Sequence, residues 1–175
     1  MTDRPPAERP PASPFWTFSL RLYGRPGVPP ACLTLQEKQG VDVNVLLFCL
    51  FAARSGRALA MDDVREVIAA VDPWKAGAVV SLRAARVYLR EPAAFIDAEG
   101  AAALRQRVKA LELEAERLQQ EGLFKAFPVA RLGAPAAGPD AAARVNAGAY
   151  EKALGRTFDI AALGAILSAF DQIRD

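Results

Sequence analysis

Asp42-Val43-Asn44-Val45-Leu46-Leu47-Phe48-Cys49-Leu50-Phe51-Ala52-Ala53-Arg54-Ser55-Gly56 is the stretch on which the fold turns. Asp42 carries the short acceptor side chain that satisfies the free N–H groups at a helix start, and Ser55-Gly56 supplies a stop. Between them the run from Val45 to Ala53 is apolar without a break. It is roughly half of the ~20 residues needed to cross a bilayer. A helix that is apolar all round and too short for a membrane belongs in the middle of a protein, covered by other helices. The prediction that follows is an all-α fold, a single-domain bundle of about seven or eight helices with no strand.

The neighbouring segments read as the covering helices. Upstream, Ser13 can cap and Pro14 can occupy the first position of a helix running to Tyr23. Its two stripes, Phe15/Phe18/Leu22 and Trp16/Leu20/Tyr23, predict burial on two sides. Gly24 to Pro30 forces a turn, and a second helix from about Pro30 to Gln39 stops at Gly40, with Cys32, Leu35 and Gln39 inward. Downstream, Asp63-Val64-Arg65-Glu66 has capping-box spacing for a fourth helix ending near Val71. Pro73 is expected to open a fifth that reaches about Arg90, with Trp74, Ala78, Leu82 and Leu89 inward. Pro92 is expected to open a sixth that reaches about Glu121.

In that sixth helix Leu104, Val108, Leu111, Ala115, Leu118 and Gly122 recur in steps of 4, 3, 4, 3 and 4. The pattern is an a/d seam that falls short of the ~3–4 heptads of an independent coiled coil, so it predicts a bundle helix with a narrow contact face. Arg105, Arg107 and Lys109 flank its first half, and Glu112, Glu114 and Glu116 its second. The proline-, glycine- and alanine-rich span 123–140 reads as a loop. Two last helices are expected, Ala141 to Leu154 stopped by Gly155, and Asp159 to Ile173 capped by Thr157 or Asp159, with Ile160, Leu163, Leu167 and Phe170 inward. The resulting plan is a disordered proline-rich tail at 1–13, a main bundle at 14–122, a loop at 123–140, and a C-terminal helical pair at 141–175 packed on the bundle.

Composition narrows the chemistry. The net charge is +2 over 175 residues, too small for the field of a protein that coats nucleic acid or anionic lipid. No histidine is present, which removes Ser-His and Cys-His nucleophile pairs and histidine-containing zinc sites. Cys32 and Cys49 lie in apolar segments and read as buried, reduced thiols. The first residues are polar where a secretory signal needs an apolar core, so the expected location is the cytoplasm.

The chain also resembles an uncharacterised proteobacterial family of small all-helical proteins, a domain of unknown function. The likeness is carried by Phe15-Trp16-x-Phe18-Ser19-Leu20-x-x-Tyr23, Gly27-Val28, Ala31-Cys32-Leu33-x-Leu35-Gln36 and Gly40-Val41-Asp42-Val43-Asn44-x-Leu46-Leu47. It continues through Trp74, Val79-Val80, Leu82-Arg83 and Arg86 to Glu112-Leu113-x-Ala115-Glu116-Arg117, spanning about residues 15–124. Phe51 departs from the family's tryptophan. The resemblance implies a helical fold and supplies no catalytic residues.

Three surfaces stand out as candidates. Arg83, Arg86 and Arg90, at i, i+3 and i+7, can hold phosphates or a partner's carboxylates bidentately, or pair with glutamates of the next helix. Gln36, Asp42 and Asn44, with Gln39, can form the polar end of a pocket for an apolar small molecule between the first and third helices, lined by Trp16, Phe48 and Phe51. Leu104, Val108, Leu111 and Leu118 can form an association seam. Asp62, Asp63 and Glu66 resemble a carboxylate cage, but the same residues are what a helix N-terminus prefers. No phosphate loop, dinucleotide fingerprint, nucleophile elbow or Cys-x-x-Cys pair occurs, so no catalytic, cofactor or metal residue is assigned. The function expected is a protein-interaction or regulatory module with a protein partner or a second copy, leaning away from enzyme, nucleic acid and membrane.

Overall fold

A computed structural model describes residues 11–173. The proline-rich stretch read as a tail lies mostly outside the described residues; its last part ends in Ser13, which is buried. The helices are α1 (Pro14–Tyr23), α2 (Val28–Gln39), α3 (Val43–Arg54), α4 (Met61–Trp74), α5 (Val80–Tyr88), α6 (Ala98–Ala126), α7 (Pro139–Leu154) and α8 (Ile160–Asp171). The all-α reading therefore holds. The one addition is a two-residue antiparallel ladder of β1 (Arg57–Ala58) and β2 (Ala134–Pro135), with Arg57 opposite Pro135 and Ala58 opposite Ala134.

The core is built around α3. The Asp42 carboxylate accepts from the Asn44 N–H at 2.9 Å and starts the helix. From Val45 to Leu50 every side chain is buried. Phe15 of α1 meets Phe48 edge-on at 5.4 Å and Phe51 at 5.3 Å; Phe18 links Phe51 to Phe170 of α8, while Phe124 and Phe127 close the other side. Ring pairs of this kind add about 0.5–1.5 kcal/mol each beyond their buried area. α7 lies along α3, and α8 along α2.

Several boundaries differ from expectation, each for a local reason. α2 begins at Val28 because Gly27 takes φ 83° and because Pro29 and Pro30 fall in the first turn, where a missing N–H costs nothing. α1 buries only its Phe15/Phe18/Leu22 stripe; Leu20 and Tyr23 face out. α4 starts at Met61, two residues before the capping box read from the sequence. Asp63 is its third residue, and its carboxylate accepts from the Ala60 N–H at 2.7 Å. Pro73 does not open a new helix. It sits in the last turn of α4, and a π-helical turn at Lys75–Val79 carries the chain on into α5. Proline removes one intrahelical hydrogen bond and crowds the preceding turn, and a wider i→i+5 turn is one way a helix absorbs that.

α6 begins at Ala98 rather than Pro92, capped by Asp97, whose carboxylate accepts from the Gly100 N–H at 2.6 Å. It also runs on to Ala126, into the span read as a loop. The remaining connection is pinned. Arg57 donates to the carbonyls of Leu132 and Gly133, both at 2.7 Å, and the Ala136 N–H donates to the Gly56 carbonyl at 2.9 Å. Gly133 has φ 49°, and a Cβ there would lie 2.0 Å from the Ala58 carbonyl oxygen. Gly133→Ala is therefore expected to cost about 2–3 kcal/mol through combined backbone strain and clash. Chemical denaturation measures it, and a loss under about 0.5 kcal/mol would mean that this loop is not held against β1.

In α8 the Asp159 carboxylate caps through the Ala162 N–H at 3.0 Å. Ile160 is exposed rather than inward, and Ile166 takes its place in the core. Among the described residues no helix is long and apolar enough to cross a membrane.

Candidate functional site

α6 is turned away from the orientation that its hydrophobic pattern predicts. Leu104, Leu111 and Leu118 are 44%, 55% and 52% exposed, and of the expected seam only Ala115 is fully buried. The reading of this seam as a core contact face is thus corrected: the helix has rolled by roughly a quarter turn. The inward face holds Glu112, Ala115, Gln119 and Gln120. A hydrophobic count misses this outcome because polar groups can be buried when each finds a partner, and here the partners come from three other elements.

Gln119 donates to Asp42 Oδ2 at 3.1 Å and Gln120 donates to Asn44 Oδ1 at 2.7 Å, so two neighbouring amides of α6 bind both ends of the α3 cap. Lys75 Nζ, delivered by the π-helical turn, stands 3.7 Å from Asp42 Oδ2. The Trp74 indole N–H donates to the Ala115 carbonyl at 3.0 Å. On the far side, the Asp42 N–H donates to the Tyr150 hydroxyl oxygen at 2.9 Å. Burial, followed by the Asp42 charge, holds the Tyr150 hydroxyl proton well above the ordinary phenolic range. Asp42 is therefore the junction of α3, α6, α7 and the π-helical turn.

Farther toward the start of α6, Glu112 is 6% exposed and faces α5. Arg83 Nε donates to Glu112 Oε1 at 2.8 Å and Arg83 Nη2 to Glu116 Oε1 at 2.8 Å. Arg86 donates to both Glu112 oxygens. Burial pushes the Glu112 carboxyl up, but the hydrogen bonds and charges of Arg86 and Arg83 outweigh it, leaving its pKa below the ordinary carboxylate value. Glu116 goes the other way: burial raises its pKa, Arg83 opposes this, and the Glu112 charge adds to the rise. Two carboxylates one helical turn apart thus share two guanidinium groups unequally.

The structure brings some of the sequence candidates together and separates others. Arg83 and Arg86 turn into the α5–α6 contact, while Arg90 lies exposed beyond the end of α5. Asp42 and Asn44 meet α6, and Gln36 lies half-buried in α2 with its backbone carbonyl accepting from Gly40. Phe48 is fully buried among other rings; the concave surface near Phe51 is an open groove bordered by Pro14, Phe18, Arg54 and Ile173, without Trp16 or Phe48. Asp62 pairs with Arg65 at 3.1 Å and Asp63 serves the α4 start. Among the described residues no group of three His, Cys, Asp or Glu side chains is placed to hold a metal ion. Both thiols are free and buried, which pushes each up to about 12.

Sequence reading passed over Lys75, Gln119, Gln120, Asn146 and Tyr150. A signal existed for α6, where Arg105, Glu112, Glu116 and Gln119 form a polar stripe at helical spacing, parallel to the leucines. Such a stripe ordinarily marks the solvated face.

The class that these features define is a helical bundle with a long two-helix arm. Its match is the family described as "Protein of unknown function (DUF2390)", over residues 14–123, and the chain belongs to that family. No curated protein and no solved structure gives a significant match to the chain.

Proposed function

We propose that the chain is a protein-interaction module of the cytoplasm, and that its partner docks on the outer face of the α5–α6 arm. The observation that carries this is the orientation of α6: Leu104, Leu111 and Leu118 face solvent while Glu112, Gln119 and Gln120 face the protein. The same arm exposes Tyr88 and, in the turn to α6, Phe95 at 87%. Exposed apolar side chains that recur along one helix face, as Leu104, Leu111 and Leu118 do, mark binding surfaces in folded proteins. Free, buried thiols suit a reducing compartment.

The test is photo-crosslinking in the cell of origin. A photoreactive residue at Leu111 or Tyr88 is expected to yield protein adducts, and one at Ile160, still more exposed but on α8, is expected to yield far fewer. Equal or absent adducts at all three positions would remove the reading.

A further inference from the structure

We infer that the partner on this face is a second copy of the chain, its α6 antiparallel to the first about a two-fold axis at Leu111. The inference rests on the interaction reading above and gives it an occupant.

The first support is shape. Arg107, Ala110, Leu111 and Glu114 line a shallow groove on the exposed side of α6. Their spacing, i, i+3, i+4 and i+7, is that of the hole which receives a side chain from a facing helix when two helices mesh. A hole of this kind fits a leucine on a helix of similar pitch, and Leu111 itself is the nearest exposed one.

The second support is pairing. With the axis at Leu111, Leu104 of one copy meets Leu118 of the other, and Leu111 meets Leu111. Gly100 then lies opposite Gly122; a Cβ at Gly122 would find open space, whereas at Gly100 the Asp97 carboxylate stands 2.9 Å from that position.

The third support is charge. On the same flank of the leucines, Arg107 lies in the first half of the helix and Glu114 in the second. An antiparallel copy sets Arg107 against the other chain's Glu114 twice over. In a parallel copy this flank would face the opposite flank of the other helix, so Arg107 and Glu114 would not meet; the antiparallel arrangement is the one that pairs them. A seam of two to three heptads is small beside the ~800 Å² per partner of a standard interface, so the dimer forms weakly and reversibly.

The purified full chain tests this. Sedimentation over about 5–500 µM is expected to show a monomer–dimer equilibrium, and Leu111→Glu to raise Kd at least about tenfold. Leu111 is already solvent-facing, so that variant keeps the helical circular-dichroism signal. Because the native thiols are buried, a thiol crosslinker reads only introduced cysteines. Leu104→Cys mixed with Leu118→Cys is expected to crosslink between chains, whereas Leu104→Cys alone is not. Arg107→Glu and Glu114→Arg are each expected to weaken association alone and to form a mixed dimer when combined. A chain that stays monomeric across the range, or a Leu104-to-Leu104 crosslink, overturns the inference. If the chain is monomeric and Leu111 still yields adducts with another protein in the cell, the second copy is wrong and the interaction reading stands. Without such adducts, both fall.

Discussion

Asn146→Ala is expected to lower the free energy of unfolding by about 3–5 kcal/mol, the largest single effect of a polar substitution in this chain. Asn146 is fully buried in α7. Its side-chain oxygen accepts from the Leu59 N–H at 2.7 Å, and its amide nitrogen donates to the carbonyls of Cys49 at 2.8 Å and Arg57 at 3.0 Å. One side chain thereby ties α3, the strand β1 and α7. Alanine leaves a buried backbone N–H with no acceptor, which costs about 1–3 kcal/mol alone, and removes a donor from two carbonyls. Asn146→Asp keeps the acceptor but sets a carboxylate against both carbonyls, and it is expected to be no more stable than the alanine variant. Urea titration with an unchanged slope is the measurement. A loss below about 1 kcal/mol for Asn146→Ala would show that water or a shifted backbone replaces these bonds.

Glu112→Ala is expected to cost about 2–4 kcal/mol, because it leaves Arg83 and Arg86 half-buried without their shared carboxylate. Replacing Arg83, Arg86 and Glu112 together by methionine and leucine is expected to cost less than the single change, since the uncompensated charges go with the carboxylate. The pH dependence follows from the two opposite shifts. The Glu112 pKa is depressed in the folded chain, so its contribution is present above the ordinary carboxylate value near ~4.3 and is lost as pH falls through its folded value. The Glu116 pKa is raised, so its contribution favours the folded state at low pH and is lost as pH rises through its folded value. The stability gap between the unaltered chain and Glu112→Gln is therefore expected to be widest near neutral pH and to narrow below about pH 4. A gap that stays constant between pH 7 and pH 3 would show that Glu112 is not held ionised by the arginines.

How far the molecule could be read from its residues depended on whether apolar surface or polar pairing decided each element. α3 was legible because nothing else accommodates nine apolar residues between a cap and a glycine. The stops at Gly40 and Gly155 were legible because both take positive φ, at 68° and 64°. α6 was legible as a helix but not in its orientation. Leucine spacing indicates where apolar groups lie, yet the direction that a helix faces was fixed here by Gln119, Gln120 and Glu112, whose partners are 26 to 77 residues away. Asn146 was invisible for the same reason, being one polar residue in an alanine-rich helix. The continuity through Pro73 was hidden because proline ordinarily ends a helix, and the π-helical turn that absorbs it has no sequence signature.

The position of α7 bears on how the chain is born. The central helix of the core is complete at Arg54, but Tyr150, whose hydroxyl meets Asp42 108 residues away, belongs to a helix that begins only at Pro139. At about 5–20 residues per second, a ribosome releases α3 on the order of 5–20 s before its lid exists. Throughout that interval the side of α3 that α7 will cover stays uncovered, so the nascent chain carries an aggregation-prone apolar surface until α7 arrives.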